Sequence, residues 1–340
     1  MEYPFKNLVF EGGGVKGVAY VGVLEVLEQH HILEKIERVG GTSAGAIVAL
    51  LVSLGYSSSE LKEKLKEMDL STLMDSDWGV IRDTIRLLID GHGWYKGDKF
   101  LEWIEDSIEH KGLDKNITFN DIKNNPKFKD IYIQGTNLST YRTETFSAED
   151  PRYADMKIKD AVRISMSIPF FFKSVKMNDQ FYVDGGLLSN YPVRLFDRDK
   201  YVKEEHSVEK EYYQEFNFSV LESYNPGKYV YNKETLGFRL DSKNDIDIYS
   251  GLAKPKKHEI RSLQDFMWSI VATLMEQQEN TELTGDDHDR TVYINTLNVS
   301  SINFNISREK QEELIESGKK GCEAYLNKYK NNTTLRNRII

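Results

Sequence analysis

The sequence predicts an α/β fold with a mainly parallel central sheet. A short apolar run, a glycine-containing loop and an apolar helix pattern occur twice within residues 7–55. The two loops, at residues 12–17 and 41–45, each follow a candidate strand and precede a candidate helix. Parallel strands need a crossover that is usually a helix, so this doubled plan is typical of a doubly wound parallel sheet.

Apolar periodicity and capping residues predict the other helices and strands. Residues 44–54 are apolar all round, which predicts a helix buried on every side, and Gly55 suits its left-handed end. Ser57 with Glu60 forms a capping-box pattern, and Asp98 is a predicted cap for a later helix. The predicted strands are 7–10, 36–39, 130–137, 172–177, 181–183, 291–296 and 302–304, and the predicted helices are 18–30, 44–54, 59–68, 81–89, 99–110, 158–165, 262–280 and 308–329.

The composition favours one folded domain over residues 1–330. Hydrophobic residues make up 39% of the chain and charged residues 29%, a balance that allows a packed core and argues against global disorder. The chemical motifs lie within a core of residues 5–197. Residues 198–330 supply a charged insertion, at 198–215, and the C-terminal completion of the fold. The tail at 331–340 is predicted to be flexible.

Charge, cysteine content and hydropathy exclude several classes of protein. The net charge of −9 argues against a general nucleic-acid binder, which is normally basic. Cys322 is the single cysteine, so no internal disulfide can form. The first residues lack the basic start and apolar core of a signal peptide, and the longest apolar run, 44–54, is too short to span a bilayer. We therefore expect a cytoplasmic protein, or one exported without a conventional signal, and leave open transient contact with a membrane surface.

The first glycine loop formally matches a nucleotide-binding motif. Gly12, Gly14 and Gly17 have the spacing of the dinucleotide fingerprint, and Glu37 follows at roughly the expected ~20 residues. The fingerprint places its acidic residue at the end of the second strand, whereas Glu37 lies near the start of the predicted strand. A phosphate-binding P-loop is also excluded, because no Lys-Ser or Lys-Thr pair follows Gly17. A nicotinamide cofactor is therefore not expected.

The second loop matches the nucleophile elbow, Gly41-X-Ser43-X-Gly45. Flanking glycines allow a tight turn between strand and helix, which would leave the Ser43 hydroxyl exposed above the sheet. A serine that caps a buried helix is the competing interpretation. Ester hydrolysis places negative charge on a carbonyl oxygen, and one preorganised backbone N–H is typically worth ~3 kcal/mol to it. The side-chain-free amides of residues 12–14 are candidates for that role.

An aspartate is the best candidate for the base that a serine nucleophile needs. None of the seven histidines lies in a predicted strand-end loop with an acidic partner, and no cluster of histidines and cysteines suggests a metal site. Asp184 ends the second strand of a predicted hairpin that turns at Asn178 and Asp179, and two glycines follow it. Its carboxylate is therefore expected at the same sheet edge as Ser43. An aspartate in an ordinary turn is the alternative interpretation.

Taken in order, these motifs resemble the patatin-like phospholipase family. The agreement covers residues 5–197 closely, and it includes residues 165–169 before the hairpin and Asn-Tyr-Pro at 190–192 after it. The resemblance implies a three-layer α/β/α sandwich with a mainly parallel central sheet, and a Ser–Asp dyad without histidine. It further implies calcium-independent lipid acyl hydrolysis, with no cofactor and no metal.

The resemblance assigns roles to particular residues. Ser43 is the expected nucleophile and Asp184 the expected base. The expected oxyanion hole consists of the backbone amides of Gly12, Gly13 and Gly14. The supporting residues are Lys16, Gly17, Gly41, Gly45, Gly185, Gly186 and Asn190. Because an aspartate with a pKa near ~4 is a weak base at neutral pH, partial burial and a hydrogen bond to the serine would have to raise its basicity.

The expected function is lipid acyl hydrolysis of the phospholipase A or lysophospholipase type, through an acyl-enzyme. The expected partner is a phospholipid or another acyl lipid, and the need for an activating protein is an open question. Aromatic residues at 94–95 and 170–172 are candidates for an acyl pocket or a lipid-contacting lip, although burial in the core is commoner. The alternatives are a latent or partner-activated lipid-binding protein and, as a different mechanism, a Ser-His-Asp esterase.

Overall fold

The computed structural model describes residues 3–67, 93–219, 227–243, 259–281, 285–301 and 305–331, together with residues 254, 257, 283 and 303. Its strands are β1 (Asn7–Phe10), β2 (Arg38–Gly41), β3 (Gly93–Tyr95), β4 (Asp130–Asn137), β5 (Arg142–Phe146), β6 (Phe170–Phe172), β7 (Val175–Met177), β8 (Gln180–Asp184), β9 (Ser207–Val208), β10 (Tyr231–Asn232), β11 (Thr235–Asp241) and β12 (Thr291–Asn295). Its α-helices are α1 (Tyr20–Gln29), α2 (Ala44–Ser53), α3 (Ser58–Glu67), α4 (Asp98–His110), α5 (Phe119–Lys123), α6 (Ile158–Ser165), α7 (Glu211–Ser219), α8 (Leu263–Thr281), α9 (Gly285–Asp289) and α10 (Arg308–Lys330). The predicted helix 81–89, residues 302 and 304 of a predicted strand and residues 332–340 of the predicted tail lie outside the described residues. Within the ranges given above, no helix combines the length and the apolar character needed to cross a bilayer.

One mixed sheet forms the centre of the fold. Its strand order is β12-β11-β1-β2-β4-β8-β7, and β5 pairs with β4. The five strands from β12 to β4 are parallel, and Phe10 of β1 lies opposite Phe238 on one side and Gly41 on the other. β8 is antiparallel to both β4 and β7. Helices cover both sides of the sheet, so the predicted three-layer α/β/α sandwich with a mainly parallel sheet is confirmed.

The strands that follow β1 in the sequence are added to the sheet on both sides of it. β2 and β4 follow on one side of β1, whereas the late strands β11 and β12 occupy the other side. In open α/β sheets, ligand sites form beyond the carboxyl ends of the strands at such a switch point. The glycine loop after β1 and the turn between β2 and α2 both lie at this position.

Apolar side chains between the sheet and the helices form the main core. α2 is buried along its whole length, as its uniformly apolar sequence predicts. α1 packs against α10, and the rings of Phe10 and Phe238 stack between neighbouring strands with their centroids 5.1 Å apart. The left-handed end of α2 at Gly55 and the capping box of Ser57 and Glu60 agree with the predictions from the sequence.

Residues beyond 197 complete the core as well as the sheet. The Tyr213 hydroxyl is buried and donates to the Asp197 carboxylate, so the predicted surface insertion at 198–215 is partly covered. Arg290 forms buried ion pairs with Asp197 at 2.5 Å and with Asp287 at 2.7 Å, and Arg194 joins the same network at 2.7 Å from Asp287. This network ties the segment after β8 to the segment before β12.

Two local predictions are wrong because distant residues intervene. Asp98 is the first residue of α4 rather than its cap, and the cap is Gly97, which has a left-handed φ of 76°. A Cβ at Gly97 would lie 2.5 Å from the Arg163 guanidinium, so this position must leave space for that side chain. Residues 172–177 do not form one strand, because β6 pairs with β3 in a separate two-stranded sheet. The predicted hairpin is nevertheless present between β7 and β8, and it turns at the predicted Asn-Asp pair.

Gly45, in the first turn of α2, allows this helix to touch the end of β1. A Cβ at Gly45 would lie 2.3 Å from the Phe10 carbonyl oxygen and 2.7 Å from that of Glu11. Because both are backbone atoms, Gly45→Ala is expected to lower the free energy of unfolding by about 3 kcal/mol. Gly55→Ala, whose Cβ meets nothing within 4 Å, is expected to cost only about 1 kcal/mol through its positive φ. Urea denaturation measures both losses, and equal values would contradict this account of the helix contact.

Candidate active site

Ser43 lies at the sharp turn between β2, which ends at Gly41, and α2, which begins at Ala44. Its φ of 53° and ψ of −124° define a strained conformation that costs a non-glycine residue about 1–3 kcal/mol and that clusters at functional sites. A Cβ at Gly41 would lie 2.4 Å from the Gly45 carbonyl oxygen, which explains the glycine before the turn. Ser43 occupies the N-cap position of α2, but its hydroxyl makes no capping hydrogen bond to the helix, so the competing interpretation of a capping serine does not account for the hydroxyl.

Two residues at the end of α6 contact Ser43 directly. The Ser43 N–H donates to Ser165 Oγ at 2.9 Å, and Ser43 Oγ lies 3.7 Å from Met166 Sδ, within range of a weak hydrogen bond to sulfur. All three residues are buried, so the prediction that the Ser43 hydroxyl is exposed above the sheet is wrong, because the end of α6 packs over it. The family resemblance included residues 165–169, but no local pattern indicates these contacts, which join positions 122 and 123 residues apart.

Asp184 ends β8 and is buried beside Ser43. Its Oδ1 accepts a 2.7 Å hydrogen bond from the Gly186 N–H, whereas its buried Oδ2 makes no hydrogen bond of normal geometry within the described part of the chain. Burial raises the pKa of the Asp184 carboxyl to about 7, and the interactions with the Gly186 N–H and the Ser43 hydroxyl offset part of that rise. The expectation that the hydrogen bond to the serine adds to the basicity is therefore wrong, because a donor stabilises the ionised carboxylate. The fold therefore brings the predicted hydroxyl and the predicted carboxyl group together.

The glycine loop after β1 lies directly against this pair. A Cβ at Gly12 would lie 3.1 Å from Ser43 Cβ, and one at Gly17 would lie 2.9 Å from Ala44 Cβ. A Cβ at Gly17 would therefore hold the two loops apart, while one at Gly12 would be tight against Ser43 and would clash with Asn190 Oδ1 at 2.4 Å. This contact joins the ends of two adjacent parallel strands into one site.

Some backbone N–H groups around Ser43 already donate a hydrogen bond within the protein, and others do not. The Gly12 N–H donates to the Asn190 carbonyl oxygen at 3.1 Å. This corrects the predicted oxyanion hole, because an engaged donor is not available to a substrate oxygen. Over the residues described, the N–H groups of Gly13, Gly14 and Ala44 donate no hydrogen bond. Ala44 is not among the predicted donors, although the residue after an elbow nucleophile commonly supplies one.

Residues from the C-terminal part of the chain hold the glycine loop in shape. Gly14 has a φ of 54°, and a Cβ there would lie 2.1 Å from the Ser301 carbonyl oxygen. The same oxygen accepts a hydrogen bond from the Val15 N–H at 3.1 Å. The buried Glu11 carboxylate, just before the loop, accepts a hydrogen bond from the Leu240 N–H. The roles of Glu11 and Ser301 depend on long-range contacts, so they had no signal in the sequence.

The other predicted supporting residues pack around the site. Lys16 is partly buried, and its backbone N–H donates to the Gly13 carbonyl oxygen at 3.2 Å. A Cβ at Gly185 would lie 2.5 Å from the Gln134 carbonyl oxygen, and one at Gly186 would lie 2.9 Å from Met275 Cε. The two glycines after Asp184 thus let this segment pass closely between β4 and α8. Asn190, in addition to accepting from Gly12, donates from Nδ2 to the Gly12 carbonyl oxygen at 3.3 Å.

The described histidines contact groups outside this site. His92 and His258 lie outside the described residues. The partners of the others are Tyr3 for His30, Glu34 for His31, Tyr56 for His110, Glu234 for His206 and Tyr293 for His288. None of these contacts reaches Ser43 or Asp184. Over the same part of the chain, no group of three or more His, Cys, Asp or Glu side chains is arranged to hold a metal ion.

An apolar cluster lies on the other side of Asp184. The Asp184 N–H donates to the Ser167 carbonyl oxygen at 2.9 Å, which places the segment leading into β6 beside the site. The cluster contains Ile168, Phe171, Phe172 and Val271, with Tyr95, Phe170, Trp268 and Met275 packed against it. Most of the predicted acyl-pocket aromatics are therefore gathered near the candidate site, while the Trp94 side chain lies outside the described part of the structure.

Comparison with known proteins gives a consistent set of similarities. The family model described as patatin-like phospholipase matches residues 8–197. An uncharacterized protein of Acanthamoeba polyphaga mimivirus is 29% identical over 320 residues, covering 93% of this chain and 92% of that protein. A protein of invertebrate iridescent virus 6, described as a probable lipid hydrolase, is 28% identical over 191 residues, covering 56% of this chain and 63% of that protein. The crystal structure of VipD from Legionella pneumophila matches with a TM-score of 0.58 at 15% identity, covering 95% of this chain and 67% of that one, which supports the fold.

Proposed function

Because the chain belongs to the patatin-like phospholipase family, we propose that it hydrolyses carboxylic ester bonds of phospholipids or other acyl lipids. The reaction is of the phospholipase A or lysophospholipase type, and Ser43 and Asp184 act as nucleophile and base. The similarity to a viral protein described as a probable lipid hydrolase supports this substrate class. Calcium independence belongs to the same proposal, in which every step below uses the substrate, one water molecule and groups of the chain.

The proposed mechanism has two halves. Ser43 Oγ attacks the ester carbonyl carbon while Asp184 takes the hydroxyl proton, and the N–H groups of Gly13, Gly14 and Ala44 stabilise the oxyanion. The acyl C–O bond then breaks, the proton passes from Asp184 to the leaving alcohol oxygen, and an acyl-enzyme is left. A water molecule gives its proton to Asp184 and attacks the acyl-enzyme, which releases the fatty acid and returns the proton to Ser43 Oγ.

The observation that carries this proposal is the environment of Asp184. With a pKa raised by burial to about 7, its carboxylate is a stronger base than an exposed aspartate and is still largely ionised slightly above neutral pH. Its Oδ2 makes no hydrogen bond of normal geometry to the described residues, so it is available to the Ser43 proton. Turning the Ser43 hydroxyl from the Met166 sulfur toward this oxygen would align the donor for proton transfer.

Lipid-product analysis tests the proposal. Purified protein is incubated with mixed phospholipid vesicles and with lysophospholipid, in the presence of a calcium chelator. Release of fatty acid is expected from the unmodified protein and from the matched control Ser59→Ala, whose serine is exposed on α3, but not from Ser43→Ala. Release by Ser43→Ala equal to that of the unmodified protein would refute the proposed nucleophile. Activity that arises only after addition of a cell extract would support the latent, partner-activated alternative instead.

A further inference from the structure

The outer face of α8 exposes large apolar side chains to solvent. Four of them recur at intervals of three or four residues along the helix, namely Leu263, Phe266, Ile270 and Leu274. A fifth, Ile260, lies three residues before the helix begins. These five side chains are between 43% and 66% exposed. Single exposed apolar residues are normal on a soluble protein, but a continuous row of this kind marks an interaction surface. We call these five residues the α8 face.

The opposite side of α8 packs on the candidate active site. Val271 is buried in the apolar cluster of β6, and Trp268 and Met275 pack against the same cluster. A Cβ at Gly186, two residues after Asp184, would lie 2.9 Å from Met275 Cε. A surface that binds the α8 face would therefore be one helix diameter, about 10 Å, from the proposed catalytic residues.

The charge around the α8 face changes along the chain. Residues 254–261 contain three lysines, one histidine and one arginine with a single glutamate, although the whole chain has a net charge of −9. Lys254, Lys257 and Arg261 are exposed, and Arg261 contacts Glu259. Asp265 is the single charged residue between 263 and 275, and it accepts the N–H of Ser262 at 2.9 Å as part of a helix cap. The first half of α8 thus joins a basic segment to an apolar face.

We propose that the α8 face docks on an anionic lipid membrane. Its apolar side chains enter the boundary between headgroups and acyl chains, and the exposed Lys254, Lys257 and Arg261 lie against the anionic headgroups. A basic segment beside an exposed apolar helix face is the arrangement that binds anionic bilayers, and it fits an apolar protein groove less well. The biological role of this docking rests on the proposed function, because docking would present a lipid ester to Ser43. The docking itself can be tested without any hydrolysis.

Vesicle co-sedimentation of the Ser43→Ala protein measures docking without turnover. We expect this protein to bind vesicles of phosphatidylcholine with phosphatidylglycerol more tightly than vesicles of phosphatidylcholine alone, and to lose that difference at high salt. Adding Phe266→Glu and Ile270→Glu is expected to weaken binding about tenfold or more, because glutamates replace the inserted side chains. The double substitution Lys254→Gln and Lys257→Gln is expected to weaken binding to the anionic vesicles several-fold and to leave binding to the neutral vesicles unchanged.

A matched control distinguishes loss of the α8 face from a general effect of two added negative charges. Leu138→Glu with Tyr141→Glu places the same two charges on exposed positions, 39% and 85% exposed, around the end of β4. This pair is expected to leave vesicle binding unchanged. Circular dichroism and hydrolysis of a soluble short-chain ester, measured with Ser43 present, show whether each pair of substitutions preserves the fold.

Three outcomes overturn the proposal. The first is equal vesicle binding by the Ser43→Ala protein with and without the glutamates at Phe266 and Ile270. The second is no vesicle binding by the parent at all. The third is a dimer in solution that those two glutamates dissociate, since a second copy of the chain would then occupy the α8 face. Vesicle binding without ester hydrolysis would refute the proposed function and leave the docking inference standing.

Discussion

Replacing Ser43 by alanine is expected to lower kcat/KM for ester hydrolysis by about 10⁴-fold or more. The hydroxyl is the proposed attacking group, so the remaining amides and the carboxylate can bind and polarise an ester but cannot form an acyl-enzyme. The alanine keeps the Cβ and the strained backbone of the elbow, so the fold should persist. A chromogenic short-chain ester measures the loss, with Ser59→Ala as the control for a serine-to-alanine change.

Ser43→Gly should be equally inactive and yet more stable. The φ of 53° and ψ of −124° are accessible to glycine without strain, so the substitution is expected to raise the free energy of unfolding by about 1–3 kcal/mol relative to Ser43→Ala. Chemical denaturation of the two variants gives this difference directly. If glycine brings no gain over alanine, the turn is not strained and the argument from backbone geometry fails.

The second large effect is expected from Asp184→Asn. The amide keeps the shape of the carboxyl group but cannot take the Ser43 proton, so kcat/KM is expected to fall about 10³-fold or more. In the unmodified protein, kcat/KM should rise with pH around a midpoint near 7, the pKa to which burial raises Asp184. Normal turnover by Asp184→Asn, together with loss of activity on replacing one histidine, would establish a triad in place of the dyad.

The same substitution should make the protein more stable above neutral pH. Burial raises the pKa of Asp184 from 3.8 to about 7 in the folded chain, so between these values the unfolded chain binds fewer protons than the folded one. Stability from this group is therefore complete below pH 4 and is lost as the pH rises through 7, by on the order of 4 kcal/mol over about three units. Asp184→Asn cannot ionise, so it is expected to exceed the unmodified protein in stability at pH 8 and to match it near pH 4. Denaturation curves at the two pH values check both statements.

The features that the sequence predicted well are those encoded locally. A uniformly apolar segment between two glycine-containing turns admits little except a buried helix, and α2 is one. The side chain of Glu60 accepts the Ser57 N–H, and the side chain of Ser57 accepts the Glu60 N–H, so the capping box follows from their spacing. The parallel sheet follows from the doubled strand–loop–helix plan, because connections of that kind have few alternatives.

Features that depend on contacts between distant residues could not be predicted from local sequence patterns. The Gly12 amide looks available in the sequence, but it donates to Asn190, and the position of Asn190 depends on the packing of the whole sheet edge. The cap of α4 is Gly97 rather than Asp98, and the nearby Arg163 side chain, which leaves no room for a Cβ at residue 97, has no signal in the local sequence. The proximity of Ser43 and Asp184 was predictable only in part. The strand ends predict that both residues face one sheet edge, while the order of β2, β4 and β8 brings them close together.

The late strands have a consequence for how the protein matures. Synthesis delivers the elbow early, but the glycine loop takes its shape from Leu240 and Ser301, which emerge much later. A nascent chain would thus carry the proposed nucleophile long before the glycine loop that is proposed to stabilise the oxyanion takes its shape. The proposed hydrolysis would therefore begin only after residue 301 has been synthesised, more than 250 residues after the elbow.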